Sequence, residues 1–341
     1  MNPYTLLIII SSLIIGTSTV TSSHHWMLAW LGLEINTLAI IPLMLKHAHP
    51  RAIEASTKYF LTQAAASAMM LFSCTINAWA SGEWATTPTT NSIPLDLLTI
   101  AIMIKLGVAP FHFWMPDVLQ GLTLPTGLVL STWQKLPPVT LLLQLSEATN
   151  LELLLITGLL STIIGGWGGI NQTQIRKILA YSSIAHLGWT MVVLKASPQL
   201  ALLNFLTYVM VSSALFLALI NTNTKNMSEM MLSWPKTPPL TTLTLLTLLS
   251  LSGLPPLTGF LPKWVITQEM IKQHLTLFTS IMLMSTLLGL FFYLRLSYIM
   301  ALTLAPNPSH SMSSWPHLIK TMTAAPITLS LLMLPTYPLI M

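Results

Sequence analysis

Charge is what this sequence has least of: Lys and Arg number 14 and Asp and Glu 9 among 341 residues, or 7%, against about 25% in soluble domains. With 53% hydrophobic residues, such a chain has too little polar surface to cover itself in water, and membrane insertion is expected. Cysteine is nearly absent too. Cys74 stands alone, which excludes an internal disulfide and any cysteine cluster for zinc or iron and sulfur, so electron transfer is expected to run elsewhere. The basic excess is scattered through short loops without a basic run interleaved with aromatics, which argues against a nucleic-acid partner. No His and carboxylate pair stands at i, i+4 spacing within one apolar span, so no metal is expected. No loop is long enough for a nucleotide-binding fold. The run Gly165-Gly166-Trp167-Gly168-Gly169 lacks the strand and basic residue of a phosphate loop and reads as close helix packing through small residues.

What is present is a series of apolar runs. They predict an all-α polytopic membrane protein with about 11 spans, near 3–21, 25–45, 58–80, 94–122, 125–146, 151–170, 176–195, 199–220, 240–273, 276–300 and 319–340. The start, Met1-Asn2-Pro3-Tyr4, lacks a basic signal region and an Arg-rich transit pattern, so the first helix is expected to be mature structure. The fourth and ninth spans are too long for one straight crossing and contain Pro, so each reads as a broken helix. If the spans alternate, Lys46, Arg51, Lys58, Arg176, Lys177, Lys225, Lys236, Arg295 and Lys320 share the side of the N-terminus, and only Lys195 and Lys272 fall opposite. The positive-inside rule then places the N-terminus inside and the C-terminus on the other face.

Four charges fall inside apolar spans: Glu34, Lys105, Lys135 and Lys263. Each costs at least ~2.5–3.5 kcal/mol at mid-membrane, roughly 10 kcal/mol together, which packing must offset. Two readings stand. The charges either snorkel or pair as inert structural bridges, or they carry protons. Lysine suits the second role, because desolvation loosens its hold on a proton and a neighbouring carboxylate tightens it. Arginine cannot release its proton, and no Arg occupies a mid-span position. His112 and His186 are either further relay groups or satisfied core histidines. His24, His25, His47 and His49 lie at span ends and are expected to be solvated.

The two broken spans share a pattern. Gly107, Pro110, Pro116 and Asp117 recur at identical relative positions as Gly253, Pro256, Pro262 and Lys263. The spans that hold them run in opposite directions, so the repeat is inverted, as in secondary transporters. Each Pro frees a carbonyl, near residues 106 and 252, that must line a cavity or bind water. The expected organisation is one transmembrane domain over 1–341, with a five-span repeat in 1–146, a second in 151–300 and a last span at 319–340.

The stretch IKLGVAPFHFWMPDVLQGL, with Glu34 upstream and SLSGLPPLTGFLPKW downstream, resembles the antiporter-like membrane-arm subunits of proton-pumping NADH:ubiquinone oxidoreductase, respiratory complex I. The resemblance spans essentially the whole chain and is greatest to the vertebrate mitochondrial members. The abundance of Met and Thr is similar to theirs. It implies that Glu34 and Lys105 are the family's glutamate and lysine pair, that Lys135 is the central relay lysine and Lys263 the terminal one, and that His112 and His186 belong to the same polar axis. It further implies a core subunit of the mitochondrial inner membrane, N-terminus in the matrix and C-terminus towards the intermembrane space. Its partners would be the other subunits, neighbouring membrane-arm subunits above all, and lipid. The chain itself would bind no cofactor, the NADH, FMN, iron–sulfur clusters and ubiquinone being used by the holoenzyme. Bacterial members have three more N-terminal helices. An autonomous cation/proton antiporter and a structural scaffold with idle charges are the alternatives.

Overall fold

The computed structural model describes residues 2–46, 49–86, 92–234, 238–302 and 324–332, and among these it is helical throughout, with no strand. In chain order the helices are α1 (Pro3–Ser22), α2 (Trp26–Met44), α3 (Pro50–Ser81), α4 (Ser92–Leu106), α5 (Trp114–Gly121), α6 (Leu124–Ser131), a 3-10 turn at Trp133–Lys135, and α7 (Leu136–Gln144). They continue as α8 (Leu151–Ile170), α9 (Ile175–Val193), α10 (Pro198–Thr222), α11 (Met227–Met231), α12 (Pro238–Ser252), α13 (Phe260–Lys272), α14 (Thr276–Leu302) and α15 (Ala324–Leu332). Of the expected last span, residues 319–323 and 333–340 lie outside the described residues, as do His47, Lys236 and Lys320.

Proline supplies much of the punctuation. Pro3 and Pro50 stand at the first helical position, and Pro198 and Pro238 likewise open α10 and α12, where a missing N–H costs nothing. The many Ser and Thr residues are reconciled with an apolar setting because their hydroxyls donate to carbonyls of their own helix. Thr241, Thr244, Thr247 and Ser250 of α12 each bond the carbonyl three residues back, at 2.7–2.8 Å. Among the described residues six helices, α1, α2, α3, α8, α10 and α14, are long and apolar enough to cross a membrane. Their outward faces carry large apolar side chains, among them Tyr4, Leu7, Phe72, Leu277 and Met284, and Trp79 is 91% exposed. Such surface belongs in lipid or against other membrane chains.

The chain forms two compact units. The first comprises residues 1–161 and 194–198, the second 162–193 and 199–341. In the first, α1 and α2 pack so closely that a Cβ on Gly16 would meet the Asn36 side-chain amide at 2.5 Å, an amide oriented so that its NH2 donates to Leu13 O and its oxygen accepts from Thr17 N of α1. In the second, Gly165 of α8 packs on Ala185 and on the Tyr181 carbonyl of α9, and Gly168 lies against the Tyr181 ring. These small residues bring helix backbones together, as the glycine run implied. Each unit also has one isolated antiparallel bridge between interhelical loops, His25 to Ala85 in the first and Gln174 to Asn226 in the second.

Candidate functional site

The Gly and Pro pattern marks two places where a helix stops and restarts. α4 ends at Leu106 and α5 begins at Trp114; α12 ends at Ser252 and α13 begins at Phe260. Both ends close in the same way. Gly107 adopts φ 73 and Gly253 φ 85, the left-handed conformation that glycine takes without Cβ strain. Val108 N donates to Met103 O and Gly107 N to Ile104 O; Leu254 N donates to Leu249 O and Gly253 N to Ser250 O. This double bonding is the Schellman closure of a helix C-terminus.

A helix C-terminus presents carbonyls and the negative end of its dipole, which favours a cation. Each closure has one. Lys105 lies in the last turn of α4. Lys263, on α13, donates from Nζ to the carbonyl of Ser252 at 3.0 Å, one of the two carbonyls expected to lose their helical partner. In the first unit, Asp117 occupies the position of Lys263 and turns away to Lys58 Nζ at 2.9 Å, where Glu54 joins it at 2.8 Å on the exposed side. The repeated charge therefore serves different ends in the two units.

Lys105 and Lys135 come together. They are only 7% and 3% exposed, and both line a cavity of about 20 Å³ with Asn36, Thr37, Tyr59, Gln63, Trp114 and Gln134. Lys105 Nζ makes no hydrogen bond to a described residue. Glu34, half-buried on α2, forms no ion pair with it. Glu34 Oε2 instead accepts from Thr37 Oγ1 at 3.2 Å. Lys135 ends the 3-10 turn, and Pro137 and Pro138 stand in the first turn of α7. The fifth span is thereby split into α6, the turn and α7 because two successive residues lack N–H donors.

In the second unit Lys263 and His186 line a cavity of about 30 Å³ with Thr162, Ser252, Ser285 and Tyr293. His186 packs its ring on Tyr208 at 5.4 Å. His112 is buried at the bend between α4 and α5, tilted on Phe113 at 4.2 Å, and does not line the cavity of Lys105 and Lys135. At the span ends His24, His25 and His49 are exposed. His25 and His49 also cap α2 and α3, accepting from Met27 N and Arg51 N, a role their position ahead of a helix start could have suggested. Sequence reasoning missed Tyr59, Gln63 and Gln134. The available signal was an aromatic hydroxyl and an amide one helical turn apart in an apolar span, and a third polar group beside Lys135.

Among the described residues no group of His, Cys, Asp and Glu could hold a metal, and Cys74 is buried. Gly253→Ala is expected to lower the yield of folded protein, because a Cβ there is strained and meets Lys263 Nζ at 2.8 Å, at a cost of about 1–3 kcal/mol. Wild-type yield would remove the closure from the account.

Residues 23–289 match the family described as NADH:quinone oxidoreductase/Mrp antiporter, transmembrane region, and residues 290–341 match the NADH dehydrogenase subunit 2 C-terminus. The chain is 55% identical over 340 residues to NADH-ubiquinone oxidoreductase chain 2 of Aquarana catesbeiana, covering 99% of this chain and 98% of that protein. It is also 55% identical over 342 residues to the chain 2 of Xenopus laevis, covering 99% of each. Among solved structures it resembles a chain of respiratory complex I from Thermus thermophilus, with a TM-score of 0.87 and 26% identity over 98% of this chain and 80% of that one.

Proposed function

This chain belongs to the NADH:quinone oxidoreductase/Mrp antiporter family, and we propose that it is a membrane-arm subunit of complex I that moves protons on buried lysines while other subunits oxidise NADH and reduce ubiquinone. Its partners are those other subunits, which hold the FMN, iron–sulfur clusters and quinone; membrane lipid covers the remaining apolar surface. Its place is the mitochondrial inner membrane, N-terminus in the matrix and C-terminus towards the intermembrane space, in keeping with the placement of its lysines and arginines.

The single observation that carries this reading is the cavity shared by Lys105 and Lys135. Two ammonium-bearing side chains beside one water-sized space are a poor choice for holding a scaffold together, since like charges repel. They suit a proton that occupies one site at a time. When Lys135 is neutral, a proton on Lys105 has an acceptor that lines the same cavity, and the Glu34 carboxylate would favour the proton on Lys105. His112 is assigned to proton transfer at the α4 to α5 bend, and Lys263 and His186 to proton transfer within the second unit.

The fold supports an inverted repeat of five spans in 1–146 and five in 151–300, followed by the span at 319–340, eleven in all, with α4 and α5, and α12 and α13, as the two broken crossings. Beyond the matched closures, the close packing recurs at one common offset: Gly16 with Gly165, Gly32 with Tyr181, and Asn36 with Ala185. The bridge residues His25 and Gln174 share that offset.

The experiment is Lys263→Met in the assembled enzyme, in sealed vesicles. Quinone-linked proton translocation is expected to fall several-fold, and not to zero, because His186 lines the same cavity and can carry a proton itself. NADH oxidation by an artificial acceptor should persist. Unchanged translocation would favour the scaffold reading.

A further inference from the structure

Gln63 lies on α3, one turn after Tyr59, and is 4% exposed. Its Nε2 has no hydrogen-bond partner among the described residues, and neither has Lys105 Nζ. Both side chains line the cavity of about 20 Å³ that Lys135 also lines. Leaving a buried amide N–H unpaired costs about as much as a lost hydrogen bond, so the site calls for an acceptor. No described side chain around the cavity accepts from the Gln63 amide. Thr37 Oγ1 donates to Glu34 O at 2.9 Å and Glu34 Oε2 at 3.2 Å, and Gln134 Nε2 donates to Asn36 O at 3.2 Å.

We propose that Gln63 anchors a structural water between Lys105 and Lys135 and so acts as a positioning residue for the proton hop between them. The cavity has room for about one water, which needs roughly 10–15 Å³ and two to four polar partners. Water fits this pair of donors because its oxygen has two lone pairs. With Gln63 Nε2 on one lone pair and Lys105 Nζ on the other, both O–H bonds point away from these donors, leaving one free to meet a neutral Lys135 Nζ. The step balances as a chain transfer: Lys105 gives a proton to the water oxygen, the water gives a different proton to Lys135, and the water remains. An amide serves better than a carboxylate or an imidazole here, since it holds the water without competing for the proton.

The inference rests on the relay proposed above, and its test separates the two. In the assembled enzyme, Gln63→Met fills the same space without a donor. Quinone-linked proton translocation should fall about tenfold, as for one lost hydrogen bond to a charged path, and the solvent deuterium isotope effect on turnover should rise. NADH oxidation by an artificial acceptor should not change. Gln63→Asn keeps the amide and should restore most of the rate and the normal isotope effect, which a merely structural role for the side chain does not predict. Normal translocation in Gln63→Met alongside failure in Lys135→Met would overturn the water site and leave the relay standing. Normal translocation in both would overturn the relay and the water site with it. If Gln63→Met does not assemble, a high-resolution map of the unaltered complex decides the matter. A water within hydrogen-bond distance of the Gln63 amide and of Lys105 Nζ is expected, and an amide bonded to a protein carbonyl instead would overturn the proposal.

Discussion

Lys135→Met is expected to abolish most quinone-linked proton translocation, a loss on the order of a hundredfold if this side chain is an obligatory proton carrier, while the enzyme still assembles. Lys135 is 3% exposed, so the substitution removes a desolvated charge and replaces it with a flexible apolar side chain of similar volume. Packing should suffer little. The 3-10 turn and the two prolines that follow it belong to the backbone and remain, so the cavity beside Lys105 keeps its shape. The check is the ratio of protons moved to NADH oxidised in sealed vesicles, with assembly followed in parallel. A normal ratio at normal turnover would eliminate Lys135 as a carrier.

The second large effect is expected of Glu34→Gln. Glu34 is half-buried and does not touch Lys105, so its carboxylate would act on the ammonium through space, and its loss is expected to leave Lys105 neutral for more of the time. Lys105 then spends too little time loaded, and quinone-linked turnover should fall about tenfold or more while the artificial-acceptor reaction persists. Glu34 and Lys105 do not touch, so any coupling between them has to be measured. In a double-mutant cycle, Glu34→Gln with Lys105→Met should assemble no worse than Glu34→Gln alone, since the buried ammonium is gone, yet pump no better. Additive assembly losses would show that the two residues are not partners.

Much of the architecture was legible because it follows from local chemistry. A glycine followed by a proline three residues on marks a helix that must stop, and both stops lie where Gly107 and Gly253 put them. The freed carbonyl at residue 252 was also legible; that Lys263 bonds it was not, because the contact depends on how α13 packs back on the end of α12. Charge in an apolar run exposed Lys105, Lys135 and Lys263 at once. The cavity around the first two was hidden, since Tyr59, Gln63 and Gln134 join it through the packing of α3 and the turn before α7, which no periodicity reports. For the same reason Asp117 read as the counterpart of Lys263, although α3 offers it Lys58 on the exposed side. Span boundaries shifted where proline let a helix start early, as α3 does at Pro50.

The central claim is that buried lysines here carry protons, and do not merely hold helices in place. The most direct test is Lys105→Met in the assembled enzyme, with proton movement into sealed vesicles recorded at the same time as NADH oxidation by quinone. Translocation is expected to collapse while NADH oxidation by an artificial acceptor continues at the normal rate; wild-type proton movement at wild-type turnover would show that Lys105 carries no proton.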